Sequence, residues 1–267
     1  MIVQPVDKET IVSTVPSRGS QRRIIGIIVL ACILGVWQLL PSIGVVSTII
    51  LPTPVQVISA GIASAGTYGI ALFTTAFEIA LAFLMAAIVG ITLGLSFGMI
   101  PLLGTAVANL LEVALSVPWI IIYPLIVAWV GLGLTSKIGY AFLVATIPVA
   151  LNSTAAVRSI DRDYFKLARS LGANRRDTIV KVLVPATLPL VFAGLRIGFA
   201  LSVVSVLAGE LLVSTSGLGY IITTNQTLFN TGHVYMAIVL TLLLAWASTK
   251  LTKWLEMLLS PHRRQAS

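Results

Sequence analysis

The long apolar runs of this chain contain four ionisable residues: Glu78, Glu112, Arg196 and Glu210. A charged side chain that faces lipid costs at least ~2.5 kcal/mol, so each should face the protein interior, a partner or water. Glu210 stands just before the glycine-interrupted stretch STSGLG, where a carboxylate can reach a water-filled cavity or the exposed amides of a helix end. For Arg196, pairing within the protein or snorkelling is favoured over contact with a solute. The chemistry indicated is charge pairing beside a polar path.

The chain shows no arrangement typical of an enzyme. It lacks the phosphate-binding pattern G-x-x-x-x-G-K-[ST], and its two histidines, His233 and His262, stand near the ends of apolar runs. No cluster of residue types suited to a metal ion is present in the sequence. We therefore expect no catalytic residue, no metal site and no cofactor held by this chain.

Composition indicates a membrane protein built of helices. The 267 residues are 57% hydrophobic and 10% charged, with a mean hydropathy of +1.02. Several apolar runs exceed the ~20 residues that cross a bilayer, and they lack the period of two that a membrane β-barrel requires. The predicted fold class is therefore an all-α integral membrane protein with six transmembrane helices. The predicted spans are residues 24–40, 71–100, 106–130, 138–157, 188–213 and 234–259, with a short outer-surface helix at 55–65.

Lysine and arginine residues predict the orientation. They concentrate before span one, between spans four and five, and at the end of span six, whereas the opposite side receives only Lys137. By the positive-inside bias, both termini and the loop at 158–185 are cytoplasmic. We expect a flexible tail at 1–23, one six-span domain at 24–260 and a tail at 261–267. The net charge of +8 thus reflects topology and contact with anionic lipid, and it does not indicate nucleic-acid binding.

The loop between spans four and five predicts a short amphipathic helix. Asp161 suits its N-cap, and Gly172 suits a C-terminal stop in the left-handed conformation. A second helix start follows, with Asn174 as its cap, and leads into span five. Two interpretations fit this pattern: a helix lying in the lipid headgroup layer, or a docking element for a soluble partner. The apolar positions that share one face are Tyr164, Leu167, Ala168 and Leu171.

The same loop resembles the signature of the permease subunits of ABC importers, in which E-A-A-x-x-x-G is followed after nine residues by I-x-L-P. Here Lys166, Leu167 and Ala168 precede Gly172, and nine residues separate that glycine from VLVP. Further motifs are similar to the sulfonate, taurine and nitrate branch of the family. They are LPTPVQV after span one, VPWIIIYPLIVAWVGLG in span three, LPLVFAGLRIG entering span five and AGELLVSTSGLGYII at its far end.

The resemblance implies a type I ABC importer permease in the cell inner membrane, with the amphipathic helix as its coupling helix. Two permease copies, expected to be a homodimer, would form the path for a small polar solute such as a sulfonate, taurine, nitrate or another small organic ion. An extracytoplasmic binding protein would deliver that solute, and two ATP-binding cassette subunits would bind ATP and Mg and hydrolyse ATP. The residues implied in the contact with the ATPase are Tyr164, Lys166, Leu167, Ala168, Arg169, Ser170, Leu171, Gly172 and Ala173.

We expect the solute path and its outer gate near the far end of span five. The uncharged segment 214–232 should form part of that gate and receive the binding protein. Prolines inside spans three and four either kink the helices or free carbonyls that line a cavity. For Trp119 and Tyr123, packing in the core or at the membrane interface is the competing interpretation. The residues assigned to the path or gate are Glu112, Pro118, Trp119, Tyr123, Glu210, Ser214, Gly217 and Gly219.

Two residues depart from the family pattern. Lys166 replaces the glutamate of the loop motif, and Glu78 stands where relatives often have arginine. Because of Lys166, the family pattern does not predict the charge pairs between the loop and the ATPase. Because of Glu78, it does not predict that the solute is an anion. The alternative function is a secondary transporter or channel that is not coupled to ATP. Against it, no inverted repeat is evident, and the amphipathic loop would have no role.

Overall fold

The computed structural model describes residues 18–259, so most of the predicted first tail (1–17) and all of the second lie outside the described residues. Within this range every regular element is helical. The first helix begins at Arg18, inside the stretch predicted as a tail. The helices are α1 (Arg18–Ser42), α2 (Pro54–Ala63), α3 (Ala65–Gly98), α4 (Pro101–Leu115), α5 (Tyr123–Val130), α6 (Leu134–Arg158), α7 (Arg162–Ser170), α8 (Arg175–Thr178), α9 (Val184–Leu212), α10 (Leu218–Thr227) and α11 (Thr231–Leu259).

The relative direction of α3 and α6 supports six membrane crossings. Five helices of the described part are long and apolar enough to cross a membrane, and α4 with α5 forms a bent pair. A Cβ on Gly90 would lie 2.8 Å from Val149 Cβ, and a Cβ on Gly98 would lie 2.8 Å from Val157 Cβ, so α3 and α6 run parallel. The chain between two parallel helices must return to the opposite end of the bundle. The bent pair makes that return and is therefore the sixth crossing.

The prediction of one span at 106–130 was wrong in geometry. The segment divides into α4 and a 3₁₀ turn at Trp119–Ile122 that continues into α5, and the two parts are bent by 82°. Pro118 stands at this break, and its ring disfavours helical backbone in the residue before it. The indole Nε1 of Trp119 donates to the carbonyl of Ala114 at 2.7 Å, which satisfies one acceptor at the end of α4.

The centre of the bundle is α6, which packs between α3 and α9. Two thirds of its apolar window is buried (67%), compared with 6% for α1, which lies at the periphery. Small residues allow the close approach: a Cβ on Gly94 of α3 would lie 2.5 Å from the carbonyl oxygen of Ala150. On the other side, a Cβ on Gly194 of α9 would lie 2.7 Å from Asn152 Cβ.

Span five is longer than the predicted 188–213. A continuous helix covers Arg176–Leu212, because α8 passes through a π-helical turn at Ile179–Leu183 into α9. Pro185 lies directly after this turn and lacks the N–H that a regular helix would use, so the wider turn accommodates the missing bond. The predicted short helix at 55–65 is confirmed as α2, which begins with a capping box between Thr53 and Gln56.

Candidate functional site

The predicted start and stop of α7 are confirmed. Asp161 Oδ1 accepts the N–H of Asp163 at 3.0 Å, and Gly172 has the left-handed φ of +76° after the last helical turn. The Ala173 N–H donates to the carbonyl of Ala168 at 3.0 Å and closes the helix end. The second predicted cap is also present, since Asn174 Oδ1 accepts the N–H of Asp177 at 2.8 Å.

The apolar side chains of α7 are largely uncovered. Tyr164 is 61% exposed, Leu167 58% and Leu171 78%, whereas Ala168 is buried. The four residues keep the helical spacing of one face, and on that face the small side chain of Ala168 is covered by the protein while the three larger ones are exposed. Behind α7 lies a cavity of about 870 Å³ between the loop and the ends of α3, α4 and α6, with Phe165 in its lining. The helix thus rests loosely on its own chain.

The polar side chains of α7 that the structure describes make local bonds. Lys166 Nζ pairs with Asp163 Oδ1 at 2.7 Å, and both side chains are about three-quarters exposed (77% and 75%). The Ser170 hydroxyl donates to the carbonyl of Lys166 at 3.1 Å. Arg169 belongs to the helix, and its side chain lies outside the described residues. An exposed ion pair of this kind contributes about 0–1 kcal/mol, so it leaves the face open to a partner.

At the opposite end of the bundle, three fully buried charges from α3, α6 and α9 form one cluster. Lys137 Nζ lies 2.5 Å from Glu78 Oε1 and 3.9 Å from Glu210 Oε1. The sequence places Lys137 on the side opposite the basic loops; it lies at that end of the bundle, within the first turn of α6, and is 1% exposed. The signal was present, because two carboxylates in apolar runs require a cation, and Lys137 stands one residue before the predicted start of span four.

Glu210 anchors the first turn of α10. Its Oε2 accepts the N–H of Gly219 at 2.8 Å, and its Oε1 accepts the hydroxyl of Thr75 at 2.8 Å. Thr75 Oγ1 in turn accepts the N–H of Leu218 at 3.0 Å. The carboxylate thus lies at the positive end of a helix dipole and satisfies amides that no helical carbonyl reaches. The hydrogen bond to a neighbouring helix end, one of the two interpretations for Glu210, is present in the structure.

The turn before α10 leaves no room for a larger residue beside this carboxylate. Gly217 has a φ of +103°, and a Cβ there would overlap the carboxylate of Glu210. Lys137 Nζ also donates to the carbonyl of Ser216 at 3.1 Å, and the hydroxyl of Ser214 donates to that same oxygen at 2.8 Å. The structure therefore brings the predicted Ser214, Gly217 and Glu210 together as one anchored turn.

The remaining predicted path residues fall into two groups. Tyr123 is fully buried against Gly209, and its hydroxyl donates to the carbonyl of Val213 at 3.0 Å. Its assignment to the path is corrected to packing, because its ring fills the space that Gly209 leaves. Pro118 is exposed at the bend, and Trp119 is half-buried there. Glu112 is exposed on α4, and Arg196 lines a groove between α9 and α11.

These elements define a class of protein: a six-span helical membrane subunit whose central bundle carries an exposed short helix at one end and an anchored short helix at the other. The chain belongs to the family of binding-protein-dependent transport system inner membrane components, which matches residues 86–265.

No group of three or more residues able to hold a metal ion occurs in the part of the chain that the structure describes.

Curated relatives agree with this assignment. The chain is 33% identical over 200 residues to the taurine transport system permease protein TauC of Escherichia coli, covering 72% of this chain and 73% of that protein. It is 31% identical to the putative aliphatic sulfonates transport permease protein SsuC of Bacillus subtilis, covering 80% and 79%. The nitrate import permease protein NrtB of Synechococcus elongatus is 29% identical, with 88% and 86% covered. The predicted family and branch are confirmed.

A solved structure shows the same fold. The chain matches an inward-facing structure of the MetNI methionine ABC transporter with a TM-score of 0.60 and 19% identity, covering 70% of this chain and 93% of that chain. The predicted class of type I importer permease is confirmed. This chain is the membrane permease subunit of an ATP-driven importer, and ATPase activity lies in its partner subunits.

Proposed function

We propose that this permease works as a homodimer, moves a small solute of the taurine, sulfonate or nitrate kind, and receives the motion of its ATPase subunits through α7. The relatives named for those solutes support the solute class. The observation that carries the coupling role is the exposed apolar surface of α7, formed by Tyr164, Leu167 and Leu171. A soluble partner would bury this surface, whereas the rest of the helix is charged with both signs and suits water.

The solute class is compatible with the buried acids. Glu78 departs from the family pattern, yet Lys137 neutralises it inside the protein. Because this carboxylate is fully buried and paired, Lys137 offsets its charge, and the remaining net negative charge of the cluster belongs to Glu210. The departure therefore adapts the interior and does not argue against an anionic solute.

The exposed face of α4 supports a second permease copy. Leu102 (82% exposed), Leu110 (68%) and Val113 (66%) are uncovered along this helix, and Glu112 is exposed among them. An ionised carboxylate on this helix is costly against lipid, so the face suits a partner copy and the water-filled path between two copies. Annular lipid would instead cover α1, whose side chains from Ile24 to Leu34 are exposed and apolar.

The distribution of basic residues supports an orientation with α7 and both termini in the cytoplasm. The α10 end then faces the binding protein. Single cysteines placed in segment 214–232 should cross-link to the binding protein and react with impermeant reagents from outside. Reaction of those cysteines from the cytoplasm alone would show that the orientation is inverted.

A matched pair of glycines tests the coupling role of α7. Gly172 (φ +76°) and Gly44 (φ +78°) have nearly the same positive φ, and a Cβ on either meets no atom within 4 Å. Valine at either position introduces similar backbone strain of about 1–2 kcal/mol. We expect Gly172→Val to assemble and to lose most ATP-driven uptake, while Gly44→Val keeps it. Equal uptake by the two variants in the same liposomes would remove α7 from the coupling mechanism.

A further inference from the structure

The short helix α10 has two chemically different faces. Leu218 and Ile221 are buried in a cluster with Tyr68, Ala71 and Ala237. On another face, a tyrosine and three threonines recur at i, i+3, i+4 and i+7, which places their hydroxyls in one stripe. These residues are Tyr220, Thr223, Thr224 and Thr227. The anchoring by Glu210 fixes which face looks away from the core.

The stripe lines a cavity of about 350 Å³, here named the hydroxyl vestibule. Ser214 and Thr215 of the preceding turn add two further hydroxyls, and Leu132 from the turn before α6 adds an apolar wall. Six hydroxyls converge on one small space, so this surface suits water and polar solutes better than lipid.

Hydrogen-bond accounting separates these hydroxyls into two groups. Those of Thr223, Thr227 and Ser214 donate to carbonyl oxygens of their own segment, at 3.1, 2.9 and 2.8 Å. Those of Thr215, Tyr220 and Thr224 make no hydrogen bond within the described residues. A hydroxyl has one hydrogen to donate, so the second group keeps its donors for a ligand.

The charges nearest the vestibule are already engaged. Glu210 reaches its lining, and its two oxygens accept from Thr75 and Gly219. The ammonium of Lys137 is buried between Glu78 and Ser216. The free donors that the described residues offer to the vestibule are therefore neutral hydroxyls, beside the carboxylate of Glu210, whose two oxygens are bonded to Thr75 and Gly219.

We propose that the hydroxyl vestibule is a transit site for the solute, which binds the solute's oxygen atoms through Thr215, Tyr220 and Thr224 by hydrogen bonds and without a charge pair. This rests on the proposed function, and it names the chemistry of one station on the path. Sulfonate and nitrate groups carry three acceptor oxygens each, which hydroxyl donors can hold. Passage requires binding that is favourable enough to admit the solute and weak enough to release it, and neutral donors meet that condition.

A thiol-labelling experiment tests the proposal without knowledge of the solute. In the complete transporter with Cys32→Ser, a cysteine at Thr227 is labelled from outside with sulfonatoethyl methanethiosulfonate, whose sulfonate is the probe. Methyl methanethiosulfonate is the neutral reference. We expect Thr224→Val with Tyr220→Phe to slow the sulfonate reagent by roughly tenfold or more, in keeping with the loss of at least one hydrogen bond to a charged group, and to leave the neutral reagent unchanged.

The matched control removes a neighbouring hydroxyl whose hydrogen is already used. Thr223→Val should change neither labelling rate, because its donor is bonded to the carbonyl of Tyr220. An unchanged labelling rate of the sulfonate reagent in the variant Thr224→Val with Tyr220→Phe would overturn the proposal. A second comparison uses the ratio of the labelling rate of the sulfonate reagent to that of a trimethylammonium reagent. If this ratio at Thr227→Cys were more than tenfold greater than at the exposed Ser59→Cys, the vestibule would contain a cation and the proposal would be overturned. Failure of the proposed function would show separately, as wild-type transporter without ATP-driven uptake.

Discussion

The two short helices that flank α9 differ in what holds them. Before α9, α7 leaves its apolar side chains exposed, makes only local hydrogen bonds and has a cavity behind it. After α9, α10 buries Leu218 and Ile221 and is bonded through Glu210 to α3 and α9. The chain itself specifies the position of α10, whereas α7 keeps a surface that only another molecule can cover. Mutations at the α10 end of α9 should therefore lower stability, and mutations in α7 should lower coupling to the ATPase.

The largest effect on stability is expected from Lys137→Met. This change leaves Glu78 as a buried charge without its partner, which costs about 3–5 kcal/mol. Thermal unfolding of the purified protein in detergent should show a strongly lowered midpoint or loss of assembled protein. Adding Glu78→Gln should recover part of that loss, because only the carboxylate of Glu210 is then left without the ammonium. If Lys137→Met melted like wild type, the cluster would not hold the α10 end together.

A second prediction compares two glycines with positive φ at this end of the bundle. Gly217→Ala introduces a Cβ into the carboxylate of Glu210, whereas at Gly131 (φ +89°) a Cβ meets no atom within 4 Å. Both variants carry backbone strain of about 1–2 kcal/mol, and the first also breaks the anchor of α10 at about 1–3 kcal/mol. Gly217→Ala should therefore unfold at a lower temperature than Gly131→Ala. Coincident unfolding curves would show that α10 tolerates displacement of Glu210.

Glu210→Gln is expected to have an intermediate effect. The amide keeps one acceptor oxygen for Thr75 or Gly219 and presents an NH₂ group to the other donor, so about 1–3 kcal/mol of stability is lost. Unfolding and reconstituted uptake should fall together if Glu210 acts through the position of α10. Unchanged unfolding with altered uptake would instead assign Glu210 to contact with the solute.

The smallest effect on stability is expected at α7. Lys166→Gln removes an exposed ion pair with Asp163 and should change the free energy of unfolding by less than about 1 kcal/mol. Chemical denaturation followed by tryptophan fluorescence measures this difference, with Lys181→Gln, which breaks the exposed pair with Asp177, as its control. A loss as large as that of Lys137→Met would show that α7 is fixed by its own chain after all.

Local signals explain what the sequence predicts correctly. The caps at Asp161 and Asn174 and the stop at Gly172 act within a few residues, and the structure has all three. The pairing of Glu78 with Lys137 depends on the register between two helices that are far apart in sequence, which no local pattern encodes. In the same way, Pro118 indicates a break, but the 82° bend depends on the packing of α4 and α5 against α6.

The unbroken helix Arg176–Leu212 connects the α7 end of the bundle to the α10 end and could transmit motion by tilting as a rigid rod. Its 37 residues make a rod of roughly 55 Å, at 1.5 Å per residue. A tilt of about 5° around the middle of such a rod displaces its two ends by roughly 2.4 Å in opposite directions. In such a rotation, a push at the α7 end would displace the α10 end in the opposite direction, about the close contact of Gly194 with α6 at the middle of the rod. The π-helical turn at Ile179–Leu183 lies near the α7 end of this rod. A local change of helix geometry there can adjust the position of α7 and leaves most of the rod straight.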